Sequence, residues 1–317
     1  MTERSTTDPH PSPRRRSTRP WVWLVAAIVA VLLVGAGIVI WQAQSRAGSA
    51  DEAAHAYLRA LESGDAAAVQ ATGIDVSDEA LQAFDGAHSV VSEATVVSVE
   101  ETGSSAMAHV SFMLGDAEHD ADLALTRSDG RWVPEGSGLA EVTVSTTAGT
   151  AVAIGGTVLD ASEALFLVPA VYTVAAAPTA YLSGSIDVVA LPGAADDVEV
   201  ETSLRPEATE AAQQRLDELL EACAAETALP ADGCGIRIPW GTEFRAVDDV
   251  AFRIDTMPTV MLADDGASFT ASGGELVATL TGTARDGGSR TTTYRSEDWA
   301  VRGDVTFAGN EMTLTVW

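Results

Sequence analysis

Residues 49–65 read SADEAAHAYLRALESGD, and this stretch sets the first element of the fold. Ser49 followed three residues later by Glu52 is a capping box, in which the serine oxygen takes an orphan amide and the glutamate reaches back to the cap amide. Ala54, Tyr57, Leu58 and Leu61 then recur at i, i+3, i+4, i+7, which is one buried helical face. Gly64 stops the helix because it tolerates the left-handed conformation at that point. Asp65 is placed to cap a short second helix through Val69, and Ser77 a third carrying Leu81 and Phe84. Beyond these the period changes to two: Val90-Val91, residues 94–99, 107–114 and 119–127 alternate as strands. Asp129-Gly130 is a hairpin turn before Arg131-Trp132-Val133. Helices followed by an antiparallel sheet predict an α+β unit over 47–138.

The segment AAHAYLRALESGD at 53–65 resembles the opening helix of the nuclear transport factor two-like (cystatin-like cone) superfamily, and DGRWV at 129–133 is similar to the final strand of its exported bacterial members. The resemblance covers roughly 90 residues. It implies a cystatin-like α+β cone of the kind displayed by single-span envelope proteins of high-GC Gram-positive bacteria. In some members the cone encloses a pocket with isomerase or dehydratase chemistry. A chain with 18 arginines, no lysine and one asparagine, Asn310, fits GC-rich codon usage.

Toward the N-terminus, residues 21–41 read WVWLVAAIVAVLLVGAGIVIW, 21 positions without an ionisable side chain. A helix of that length, at ~1.5 Å per residue, matches the ~30 Å hydrocarbon core of a bilayer. Trp21 and Trp23 at one end and Trp41 at the other suit the headgroup level. Residues 1–20 carry Arg4, Arg14, Arg15, Arg16 and Arg19 against Glu3 and Asp8, whereas Arg46 stands alone on the far side. This arginine excess, with Arg14, Arg15, Arg16 and Arg19 next to the span, predicts a cytoplasmic 1–20 tail and an extracytoplasmic C-terminal region. The apolar run is longer than a secretory signal's 7–15 residues and ends in a tryptophan, not a small-residue cleavage site. We therefore expect an uncleaved signal-anchor at 21–41, a linker at 42–46 and a bilayer as the first partner.

Toward the C-terminus, short strands at 142–144, 152–154, 166–168, 172–174, 186–189 and 198–200 predict a small β-sandwich over 139–204. Within it VPAVYTV at 168–174 is similar to the proline-turn-tyrosine segment of PEGA-type surface sandwiches, with Ala170 in place of the glycine. Pro206 opens a helix whose Ala212, Leu216, Leu219, Leu220 and Cys223 share a face. Strands resume at Val250, with turns expected at Asp264-Asp265-Gly266, Gly273-Gly274, Asp286-Gly287-Gly288 and Gly309-Asn310. The 205–317 unit thus reads as a helix plus an antiparallel sheet, another cone-like arrangement. Cys223 and Cys234 are expected to form a structural disulfide, since they close a short loop in an oxidising compartment.

The formal net charge is −28, and residues 47–317 alone carry 12 arginines against 44 acidic side chains. That argues against a nucleic-acid partner, which needs a basic surface. There is no G-x-S-x-G, no phosphate-binding loop and no H-E-x-x-H, and the lack of lysine excludes Schiff-base chemistry. His55 and His109 are the histidines nearest the buried stripe and the sheet, but neither has a paired base in the sequence pattern. Asp116, Glu118, His119, Asp120 and Asp122 form an acidic turn without calcium-loop spacing. We expect no catalytic, cofactor or metal site, and a non-catalytic envelope protein whose domains bind an envelope protein or wall partner. The alternatives are a pocket-containing cone that binds or isomerises an apolar metabolite, and a transmembrane regulator acting through the 1–20 tail. N-terminal sequencing of the protein from native membranes should return residue 1 or 2; a start between residues 42 and 50 would refute the signal-anchor.

Overall fold

The computed structural model describes residues 48–225, 233–236 and 243–317. The expected anchor at 21–41, with Trp21, Trp23, Trp41 and the arginines Arg14, Arg15, Arg16 and Arg19, lies outside the described residues. Among the described residues no helix is long and apolar enough to cross a membrane. Gly48–Trp317 form one compact unit.

Three helices open it, α1 (Ala50–Ser63), α2 (Ala66–Ala71) and α3 (Asp78–Asp85). Each begins at the cap read from the sequence: Ser49 accepts from the amide of Glu52, Asp65 from that of Ala67, and Ser77 from that of Ala80. The reciprocal half of the box differs by one residue, because Glu52 Oε2 accepts from Gly48 N–H at 2.8 Å. The amide of Ala50 is taken instead by Glu101 Oε1 at 3.0 Å, a carboxylate placed at the positive end of the helix. Gly64 ends α1 at φ 65°.

The chain then forms β1 (Ser89–Val90), β2 (Ser92–Thr102), β3 (Ser105–Leu114), β4 (Ala117–Ser128) and β5 (Arg131–Pro134). β2 to β5 make a four-stranded antiparallel meander. One face buries Ala108, Val110, Phe112, Leu114, Leu123, Leu125 and Trp132, where the stripe of α1 (Ala54, Tyr57, Leu58, Leu61) packs. Tyr57 spans this layer and donates its hydroxyl to Gly138 O at 2.7 Å.

The next strands are β6 (Ala140–Thr146), β7 (Ala151–Ile154), β8 (Thr157–Asp160), β9 (Leu165–Leu167), β10 (Ala170–Ala177), β11 (Leu182–Ser183), β12 (Ser185–Ala190), β13 (Ala195–Val200) and β14 (Ser203–Leu204). β1 leaves the meander and pairs with β10, in a five-stranded antiparallel sheet with β7, β8 and β12. β6 lies between β9 and β13, and the β6–β13 pair is parallel. Tyr172 on β10 is fully buried and donates back to Val168 O at 2.6 Å, tying the corner at Pro169 to the strand. α3 meets the β7–β8 turn backbone to backbone. A Cβ at Gly155, which sits at φ 57°, would stand 2.1 Å from Ala83 O, and one at Gly86 2.0 Å from Gly155 O.

The last segment contains α4 (Pro206–Ala225), β15 (Phe244–Thr256), β16 (Thr259–Leu262), β17 (Ser268–Ala284), β18 (Ser289–Ala308) and β19 (Glu311–Val316). α4 buries Ala208, Ala212, Leu216, Leu220 and Cys223; Leu219 is only half-buried. The antiparallel sheet runs β15-β17-β18-β19, with β16 continuing beside β15 on β17. Gly273-Gly274 is not a turn. It is a bulge inside the unbroken β17, with Gly273 at φ 77°, because the Trp299 indole occupies the space beside Gly274, 3.0 Å from where a Cβ would be.

These findings overturn the expected fold class. Among the described residues 55% are in strands and 20% in helices, with four α-helices, so the protein is mostly β rather than α+β. It is not a clear cystatin-like cone: β1 is diverted from the meander to pair with β10, and the strands of the middle and last sheets outweigh the helices. The small β-sandwich is likewise replaced by a five-stranded sheet and a three-stranded sheet with a parallel pair, whereas 205–317 contains the expected helix followed by an antiparallel sheet, here of long strands.

Burial pushes the hydroxyls of Tyr57 and Tyr172 well above the ordinary tyrosine range, and the nearby Tyr172 adds to the cost of ionising Tyr57. The unfolded chain ionises near pH ~10 while the folded one stays neutral, so this stability is present below that pH and falls above it. Alkaline titration of the native protein should therefore leave two phenols silent at about pH 11, and they should ionise when urea is added.

Candidate functional site

Cys223 lies in the last turn of α4, buried on the packed side of the helix, and is bonded to Cys234 with Cα atoms 5.9 Å apart. The pairing read from spacing and compartment is thus present. Gly235, the next residue, takes φ 63°, and a Cβ there would strike Val301 and Val316 at 2.9–3.2 Å. The indole of Trp299 donates to Gly235 O at 3.1 Å. Disulfide, glycine and indole together hold Cys234 and Gly235 against β18 and β19.

Beside this clamp lies an open groove of about 380 Å³, lined by Gly235, Trp299, Ala300, Val301, Arg302 and Trp317. Trp317 is 55% exposed although it is among the largest apolar side chains. The lining offers the exposed Trp317 indole and Arg302, with Trp299 largely buried behind them, which suits a flat or apolar ligand face with an anionic group beside it. Sequence reasoning missed this site. It placed Trp317 in a terminal strand and gave Trp299 and Arg302 no role, because the residues meet only through the β18–β19 register.

The histidines fall elsewhere. On the outer face of the meander, His109 Nδ1 contacts Asp122 Oδ1 across β3 and β4. Ser98 stands opposite His109 in the β2–β3 register, beside a bulge that puts Val97 at 67% exposure. A carboxylate on Nδ1 is how an imidazole base is oriented, but both partners are about half exposed, and among the described residues no hydrogen bond joins Ser98 to the ring. The pair is a solvent-exposed contact in its geometry. His55 lies 3.9 Å from Asp51 on the exposed side of α1.

The acidic turn is split by strand alternation. Glu118 accepts from Ser111 Oγ at 3.2 Å and Asp122 meets His109 on the outer face, whereas His119 turns toward Phe112 with ring centroids 6.1 Å apart. Among the described residues no group of three or more histidine, cysteine or acidic side chains is arranged to hold a metal ion. No family model matches the chain, and no curated protein matches it.

Replacing both cysteines with serine should lower stability to urea by about 3 kcal/mol, the loop-entropy value for a loop of this length. An unchanged denaturation midpoint would show that Trp299 and Gly235 hold the loop unaided.

Proposed function

We propose that this is a non-catalytic, single-pass membrane protein of the cell envelope. Residues 21–41 anchor it, the 1–20 tail stays in the cytoplasm, and the Gly48–Trp317 unit is displayed outside to bind an envelope protein or wall polymer. The Cys223–Cys234 bond carries this reading, because such bonds persist in oxidising compartments and are rare in the cytosol. The sequence supports it with the arginine-flanked apolar run and the strongly acidic remainder, which keeps a displayed body soluble near anionic headgroups. The indole-lined groove beside the disulfide is where the partner's flat or apolar group would seat.

In this arrangement the disulfide has a defined role. It fixes the exit of α4 against β18 and β19, so the groove wall built from Gly235 and Trp299 is rigid before any partner arrives. The outer histidine pair plays no chemical part.

Reporter fusions decide the topology. Alkaline phosphatase joined after residue 317 should be active and green fluorescent protein at the same point dark; the reverse pattern would remove both the outward display and the redox argument.

A further inference from the structure

The outer face of the last sheet carries a row of side chains that the groove only partly takes in. Met261 on β16 stands opposite Thr270 on β17, Thr270 opposite Arg302 on β18, and the Trp317 amide donates to Arg302 O from the end of β19. Opposed residues in antiparallel strands share a face, so Met261, Thr270, Arg302 and Trp317 form one cross-strand row, about 14 Å long at the ~4.8 Å spacing of strands. All four are exposed, Met261 at 70% and Trp317 at 55%. The positions on either side along the strands turn inward: Val260, Ala271 and Val301 are buried, as are Phe269 and Val316.

Two of the seven large hydrophobic side chains exposed among the described residues thus sit at the ends of one row, with a hydroxyl and a guanidinium between them. That spacing is not the continuous apolar centre of a protein interface. The flanking rows add hydroxyls: Thr259 beside Ser272 on one side, and Ser268 and Thr315 either side of Asp304 on the other. The row itself holds no carboxylate. Arg302 has no ion pair among the described residues, although acidic side chains outnumber arginines 44 to 12 over residues 47–317. That acidic excess repels anionic headgroups, so the exposed indole is poorly placed for a bilayer surface.

We propose that this row binds a carboxylate-bearing wall glycan, the peptidoglycan strand, with a sugar ring on the Trp317 indole and a carboxylate on Arg302. The inference rests on the outward display proposed above and names the wall polymer as the groove's partner. A sugar ring presents polarised C–H groups on its face and hydroxyls around its rim. The C–H face suits the negative face of an indole, and the rim suits hydroxyls that both donate and accept, such as that of Thr270. The planar guanidinium takes a carboxylate through two N–H groups. Met261, unbranched and polarisable, supplies an adaptable apolar contact at the far end of the row.

The test is cosedimentation of the full chain in detergent with peptidoglycan sacculi stripped of protein and phosphate polymers. At about 0.15 M salt the screening length is ~8 Å, which damps the repulsion between the acidic body and the wall. The wild type should pellet with the sacculi. Trp317→Ala and Arg302→Gln should each weaken binding by about tenfold. Converting the carboxylates of the sacculi to neutral amides should weaken the wild type as Arg302→Gln does, and should leave Arg302→Gln unchanged. Phe166→Ala, which removes an exposed aromatic ring on β9, should bind as the wild type does. Two phenols silent at about pH 11 would show that each variant is folded. A wild type that stays in the supernatant, or a Trp317→Ala variant that pellets like the wild type, overturns the inference. Self-association lost in Trp317→Ala, with no pelleting, assigns the row to a second copy instead. Outward-facing reporters in either case leave the proposed topology standing, so the two readings fail separately.

Discussion

Two tyrosines hold the first helical layer to the rest of the molecule. Tyr57 comes from α1 and Tyr172 from β10; both are fully buried, and they lie close enough for the charge of one to oppose ionisation of the other. Each satisfies its hydroxyl on a backbone carbonyl, of Gly138 and of Val168. A buried hydroxyl without a partner costs roughly 1–3 kcal/mol, so these bonds let two large aromatic rings fill the junction without that penalty. The meander, the three helices and the middle sheets consequently share a core.

Around that core the acidic composition leaves little freedom. Among the described residues no polar or charged residue is buried, so every carboxylate lies at least partly in water. Arginine is scarce and is used at seams between segments. Arg205 Nε donates to Leu182 O at 2.8 Å, Arg215 lies 5.5 Å over the Tyr181 ring, and Tyr181 meets Phe307 of the last sheet. Among the described residues the last sheet and the middle body are therefore joined by aromatic and backbone contacts, which suits a surface whose charges repel one another.

Local chemistry was legible in the sequence and pairing was not. Ser49, Asp65, Ser77 and Gly64 each set a helix end through contacts within a few residues, and all four do so in the fold. The disulfide was legible from spacing. The destination of β1 was not, since Val90 carries the same alternation whether it joins β2 or crosses to β10. Gly273-Gly274 reads as a turn locally, and only Trp299, brought by the neighbouring strand, makes it a bulge. The same limit hid the groove, whose members are assembled by strand register, and it produced the mistaken class. Three well-capped helices dominate the opening, whereas the strands that outweigh them are long only after pairing.

The parallel pair of β6 and β13 also fixes an order of assembly. Glu141 lies beside Ala195 and Thr146 beside Val200, so the intervening strands must be synthesised before β6 has both neighbours. Most other ladders here are hairpins between successive strands, which close quickly because the loops are short. A nascent chain halted short of residue 195 carries a finished meander attached to a half-zipped β6.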